Sequence, residues 1–380
     1  MDKIIPGSAA YLAWLRYALW GGEAPACDAG SRPSLLSLAD RQKTRGLIFD
    51  ALLRAGSAAT GLSKADAVQM QEFLLQTFAT HRMLDHALAR AVSALQDAGV
   101  PAVLLKGQGA ARSYPNPLLR ECGDIDLYIG PERLEDAVRV LTPLADKVDD
   151  ELLGKHWQLW MGGAEFELHQ VSMIPTDRSR TRFYRKLEAE GFTRGLAPLD
   201  FEGVRVDTPE PTFNAFHLFY HAWHHFLTGG IGFRQLCDWT LHLHVRRENI
   251  DRERLGAMLD GMRLRRPWQL FGCIAVHDLG LPAEEFPCYD ASWLKPSRRV
   301  LKMILSEGNF GRGHEPRIAR PKAYVASKAY SLGLHCIRFV QTFSVAPREA
   351  WQVFASLFTG GFRKVFQDLF QPKNRQSTIG

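Results

Sequence analysis

Leu104-Leu105-Lys106-Gly107, followed after a short interval by Arg120-Glu121-Cys122-Gly123-Asp124-Ile125-Asp126-Leu127-Tyr128-Ile129, is the stretch on which the fold turns. Val100 to Leu105 is an apolar run rich in valine and leucine that ends at Lys106-Gly107, the pattern of a buried strand followed by a turn. Gln108 to Tyr114 fits a short helix, and Pro115-Asn116-Pro117 stops it. Asp124 to Ile129 reads as a second strand closed by Gly130-Pro131. Side chains at i and i+2 of a strand share a face, so Asp124 and Asp126 project together while Ile125 and Leu127 turn toward a core.

Working outward, Leu134, Val138 and Leu141 give Glu132 to Leu141 a helical spacing, with Glu132, Glu135 and Asp136 in its first turns. Ala164 to Val171, introduced by Gly162-Gly163, is a third strand. Strand, helix, strand, helix, strand describes a small domain of mixed α and β structure over about residues 96–175. Residues 1–95 read as a helical N-terminal segment, with a break between Gly56 and Ser63. Residues 176–212 form a connecting segment with a hairpin at Phe201 to Val206, and residues 213–380 a mostly helical region, clearest in Phe213 to Leu227, Gln235 to Val245 and Trp268 to Leu279. Gly308 to Pro316 reads as a glycine-rich loop and Pro372 to Gly380 as a frayed tail.

Aspartate is depleted in strands, so a pair inside an apolar strand asks for a reason. Two adjacent carboxylates repel unless a cation lies between them, and a hard divalent ion such as Mg²⁺ takes oxygen ligands while leaving room for phosphates. Solvated aspartates on an exposed strand are the plainer alternative. Removing either carboxylate is expected to leave stability unchanged or raise it, because like-charge repulsion is relieved. Lys106-Gly107, between a strand and a helix, is a turn where backbone N–H groups and an ammonium can meet an anion. A surface lysine in an ordinary turn is the alternative there.

Taken together, strand, Lys106-Gly107, a short helix ending in Tyr114-Pro115, Arg120 and Asp124-Ile125-Asp126-Leu127 resemble the uncharacterised nucleotidyltransferase family of the polymerase-beta-like superfamily. Ala102 to Gly130 carries most of the resemblance. The wider superfamily usually has Gly-Ser at the turn and a shorter gap to the aspartates, whereas here the turn is Lys106-Gly107 and 16 residues lie between Gly107 and Asp124. The resemblance implies an α+β fold: a small mixed-sheet nucleotidyltransferase core flanked by the helical segments. It also implies transfer of a nucleoside monophosphate from a nucleoside triphosphate to a hydroxyl acceptor, with Mg²⁺, or alternatively Mn²⁺, as cofactor. The acceptor can be a small molecule, a saccharide, a tRNA end or a protein.

The same resemblance implies a third carboxylate on a later strand. In Glu165-Phe166-Glu167-Leu168-His169, alternation puts Glu165, Glu167 and His169 on one face. Glu167-Leu168-His169 matches the family's acidic-apolar-His element, so Glu167 is the expected metal ligand or base, with Asp124 and Asp126. Lys106, Gly107 and Arg120 are the expected nucleotide-binding residues. Arg120 can grip phosphate oxygens bidentately or form a salt bridge to Glu121, Asp124 or Asp126.

His217, His221, His224 and His225 fall at i, i+4, i+7 and i+8, so one helix face can carry several imidazoles. That suits a transition metal, although such histidines are more often satisfied within a helix bundle. The family also shows a histidine-bearing helix followed by Arg and Asp, which Gly232 to Trp239 resembles. His169, His221, Arg234 and Asp238 are thereby placed on the acceptor side.

The 380 residues are 46% hydrophobic and 23% charged, globular values that argue against long disorder. A net charge of +6 suits an anionic ligand and equally a solvated surface. The six cysteines form no Cys-x-x-Cys pair and read as reduced thiols. The apolar run Ala9 to Trp20 is short, carries Arg16, and reads as an amphipathic helix rather than a signal peptide. A cytoplasmic protein with no membrane span is expected. Two rival readings remain: a non-catalytic or regulatory nucleotide-binding protein of the same fold, and a histidine-dependent metal protein with a merely structural Asp pair.

Overall fold

The computed structural model describes residues 5–27, 30–149, 156–309 and 324–356. Its elements are helices α1 (Ser8–Trp20), α2 (Arg32–Arg41), α3 (Arg45–Thr60) and α4 (Lys64–Asp97), then β1 (Val103–Leu104), α5 (Gln108–Ala111), β2 (Ile125–Tyr128), α6 (Leu134–Leu141), β3 (Lys147–Asp149), β4 (His156–Met161), β5 (Ala164–His169), α7 (Thr181–Gly191), β6 (Ala197–Phe201) and β7 (Val204–Thr208). Helices α8 (Pro211–Thr228), α9 (Phe233–Val245), α10 (Arg252–Gly261), α11 (Arg265–His277), α12 (Leu294–Glu307) and α13 (Tyr324–Phe343) follow. The fold is mixed α+β, with a seven-stranded sheet in the order β3-β4-β5-β2-β1-β7-β6.

The sheet is mixed. Strand β2 pairs parallel with β5 and antiparallel with β1, and β1 pairs parallel with β7. Two hairpins complete it. Met161 pairs with Ala164 across Gly162-Gly163, and Phe201 with Val204 across Glu202-Gly203. All four loop residues have positive φ, the geometry that a two-residue hairpin turn demands. The β4–β5 hairpin means that Gly162-Gly163 joins two strands rather than only introducing one. The β6–β7 hairpin carries the sheet on to Thr208.

The two faces of the sheet differ as the alternation of β2 and β5 requires. Ile125, Leu127, Phe166 and Leu168 are fully buried against Leu84, Leu88, Val92 and Leu95 of α4 and Leu134, Ala137 and Leu141 of α6. Ser63 and Asp66 form a capping box that starts α4, so this 34-residue helix begins at a defined point and its second half underlies the sheet. The other face, with Asp126 and Glu167, is left for the helical region.

Helices α1–α3 do not stand apart. Their buried residues belong to one core with those of α8–α12. Tyr11 packs edge-on against Phe233 at 5.6 Å between ring centroids. The Gln42 side chain donates to the Ile304 carbonyl at 3.0 Å and accepts from the Phe233 amide at 3.0 Å. The apolar run near the start is α1, with Tyr11, Trp14, Leu15 and Leu19 buried. No described helix is long and apolar enough to cross a membrane. The glycine-rich loop from Gly308 lies outside the described residues beyond Asn309, as does the whole Pro372 to Gly380 tail.

Candidate active site

The Lys106-Gly107 turn sits where β1 hands over to α5. Gly107 has φ 58° and ψ −119°, a region closed to side chains, and an added Cβ would lie 3.3 Å from the Asp124 carbonyl oxygen. The glycine therefore lets the turn lie close against the start of β2. Asp126 sits within β2 and is 2% exposed, whereas Asp124 lies just before the strand and is exposed. In the parallel register Asp126 stands beside Glu167. Alternation along β5 brings His169 to the same face.

These side chains converge. His169 Nε2 lies 2.9 Å from Asp126 Oδ1 and 3.3 Å from Glu167 Oε2. One ligand atom from each of Asp126, Glu167 and His169 lies within 4.8 Å of the others, close enough to share a metal ion. Lys106 Nζ lies 2.9 Å from Asp126 Oδ2. Burial alone would raise the Asp126 carboxyl; Lys106 and His169 outweigh it and hold the group well below the usual carboxylate range. Burial alone would lower Lys106, and Asp126, Asp124 and Glu167 raise it above its ordinary value. The bonds from Asp126 and Glu167 likewise overcome burial and raise His169.

This arrangement reverses one expectation for Asp126. Its carboxylate is 2% exposed and pairs with the partly exposed Lys106 and with His169, so its removal leaves the Lys106 ammonium without that partner and His169 with Glu167 alone. For exposed Asp124 the expectation of unchanged stability stands as a proposal. Glu165 shares the face, yet it accepts a hydrogen bond from Gln158 Nε2, and burial, then Asp124 and Glu167, raise its carboxyl.

The carboxylates open onto a cavity of about 380 Å³. Lys106, Gly107, Asp124, Asp126, Glu167 and His169 line it from the sheet, and His221, His224, His225, Arg234 and Asp238 from α8 and α9.

Arg120 has a different partner from those its sequence neighbours offer. Its Nε and Nη2 donate to Asp238 Oδ1 and Oδ2, each at 2.7 Å, and both side chains are 6% exposed. Tyr114 Oη donates to the same Oδ1 at 2.7 Å. The Arg120 carbonyl lies 2.6 Å from His81 Nε2 of α4. The Arg120–Asp238 pair thus ties the loop before β2 to α9 and the bundle. Arg234 donates from Nη1 to the Glu121 carbonyl at 2.7 Å, fixing the same loop. The contacts of Tyr114 and His81 are not legible in the sequence because their partners lie 124 and 39 residues away.

On α8, His221 and His225 face each other with their Nε2 atoms 3.1 Å apart. His217 is 1% exposed, and burial pushes it down to about 3. His242 donates from Nε2 to the Pro211 carbonyl oxygen at 2.9 Å, and burial lowers it to about 4. Both stay neutral in the fold. Below the unfolded value of about 6.5 the unfolded chain takes up protons that the native state refuses, so stability falls with pH. At pH 5 the loss should reach about 2 kcal/mol for each of these histidines. Thermal unfolding between pH 8 and pH 5 should show the decline; a flat profile would contradict the burial argument.

The chain belongs to the family described as uncharacterised nucleotidyltransferase, which it matches over residues 30–280. It is also similar to the crystal structure of an antigenic nucleotidyltransferase-like protein from Paracoccidioides brasiliensis. That likeness has 14% identity and a TM-score of 0.32, and covers 54% of this chain and 96% of the other. No curated protein matches it.

Proposed function

We propose that this chain moves a nucleoside monophosphate from a nucleoside triphosphate to a hydroxyl acceptor, with Mg²⁺ or Mn²⁺ held by Asp124, Asp126 and Glu167. The observation that carries the reading is the convergence of Asp126, Glu167 and His169 on one sheet face, at a cavity also lined by Asp124 and Lys106. The donor set fits such an ion: carboxylate oxygens suit Mg²⁺, and the imidazole nitrogen beside them extends the fit to Mn²⁺. When bound, the ion neutralises phosphate charge and orients the reacting phosphate.

The remaining work falls to the side chains. Lys106 stands at the cavity wall and exchanges its contact with Asp126 for the phosphates. His169 orients the Asp126 and Glu167 carboxylates by its hydrogen bonds. Glu167 ligates the ion or accepts the acceptor's proton. The acceptor oxygen bonds to the α-phosphorus as the α–β bridging bond breaks, and pyrophosphate leaves. Positioning and charge neutralisation supply most of the acceleration. His221, Arg234 and Asp238 lie on the acceptor side, Asp238 and Arg120 as positioning residues. The acceptor is a small molecule, a saccharide, a tRNA end or a protein hydroxyl, and the reaction belongs in the cytoplasm, where nucleoside triphosphates are supplied.

Glu167→Gln keeps the shape and removes the charge. It should lower turnover by about 10²-fold or more while changing nucleotide affinity little, the sign of a group that acts mainly in the transition state. Glu165→Gln should be nearly silent. Steady-state kinetics with the two effects reversed would overturn the choice of Glu167.

One observation favours a second reading. The Lys106 ammonium beside Asp126 can stand in for a cation, as a regulatory nucleotide-binding protein of this fold would allow. In that case Mg²⁺ should not strengthen nucleotide binding measured by calorimetry, whereas the transfer reading requires that it does.

A further inference from the structure

The carboxylates leave part of the cavity unexplained. Its helical wall carries His221 and His225, one turn apart on α8. We propose that this pair is a second cation site, selective for a borderline divalent ion such as Zn²⁺, facing the same cavity as the carboxylate cluster.

The geometry is the first argument. The two Nε2 atoms lie 3.1 Å apart, and the ring centroids 4.4 Å apart. With Zn–N bonds of about 2.05 Å, that separation corresponds to an N–Zn–N angle of about 98°, between octahedral and tetrahedral values. Residues at i and i+4 of a helix hold two imidazoles in this relation without backbone strain. Protonation state is the second argument. A metal takes neutral imidazole, and burial, followed by the Lys106 charge, keeps both rings neutral at pH 7, with His225 pushed down to about 4.

Donor chemistry then sets the class of ion. Neutral nitrogen donors suit Zn²⁺, Ni²⁺ or Cu²⁺, and the nearby Lys106 charge opposes an ion held by charge attraction alone. Mg²⁺ is therefore left to the oxygen ligands of Asp124, Asp126 and Glu167. Two protein ligands leave coordination positions for water or for an acceptor hydroxyl. The site itself does not depend on the transfer reading; only its use in holding the acceptor does.

The test is a Co²⁺ titration of the full chain in a large excess of Mg²⁺, followed by visible absorption, with Zn²⁺ as competitor. His221→Asn and His225→Asn should each weaken Co²⁺ binding by about tenfold or more, and Glu167→Gln should leave it unchanged. Both His221 and His225 are half-buried, so neither substitution empties the core, and His225→Asn serves on its own if His221→Asn fails to fold. Absence of Co²⁺ binding in excess Mg²⁺ would overturn the site and leave a neutral His221–His225 hydrogen bond as the explanation of the contact. Binding retained by both histidine variants but lost in Glu167→Gln or His169→Gln would also overturn it, assigning the ion to the carboxylate cluster. Nucleotide binding measured in the same histidine variants reports separately on the proposed transfer site.

Discussion

Asp126→Ala should abolish nucleotidyl transfer and also weaken the fold. The two effects have different causes. The carboxylate lies beside Glu167 and His169, where the ion is proposed to bind, so its loss should cost about 10³-fold or more in turnover. It is also the buried partner of Lys106 at 2.9 Å and of His169 at 2.9 Å. Removing one partner of a buried charge cluster costs about 3 kcal/mol, and chemical denaturation measures it. Asp124→Ala, at an exposed position, should lose activity to a similar extent with little change in stability. Equal stability of the two variants would contradict the buried-cluster description, and full activity in either would remove the metal assignment.

Arg120→Ala and Asp238→Ala should be the most destabilising substitutions around the cavity. Each breaks a buried two-pronged pair whose side chains are 6% exposed and strands the other charge, at a cost of about 3–5 kcal/mol. The double variant should cost less than the sum, because no charge is then left alone. Arg120→Lys should rescue little, since an ammonium cannot match both carboxylate oxygens. If Arg120→Ala instead weakened nucleotide binding while leaving denaturation unchanged, Arg120 would be a phosphate ligand after all.

The parts of the fold that were legible in the sequence are those set by local pattern. Ile125, Asp126 and Leu127 alternate between the apolar core and the cavity, so the strand and the facing of Asp126 follow from period two, whereas Asp124 lies just before β2 rather than in it. The turn at Lys106-Gly107 is legible because a glycine closes the apolar run before a helix, and the structure gives Gly107 the positive φ that suits it. Strand β4 was missed. Trp157, Leu159 and Met161 alternate, but Trp160 stands on the other face and blurs the period, and the hairpin at Gly162-Gly163 was read as a boundary rather than a connection. The sharing of one core by α1–α3 and the later helices was invisible, since Tyr11 meets Phe233 across more than half the chain. The site divides in the same way. Asp126, Glu167 and His169 come from two neighbouring strands, where register follows from the apolar face. Asp238 meets Arg120 through helix packing, which no local pattern encodes. Likewise, nothing in the spacing of α8 told which pair among its histidines would touch.

The most direct test of the proposed reaction uses the full chain with each nucleoside triphosphate, labelled in turn at the α- and the γ-phosphate, together with Mg²⁺ and cell extract as the source of acceptor. The account predicts that α-label becomes covalently attached to an acceptor while γ-label leaves as pyrophosphate, and that Asp124→Ala, Asp126→Ala and removal of divalent metal each stop the reaction. Transfer of the γ-label to the acceptor, or α-label transfer that persists in the aspartate variants, would contradict it.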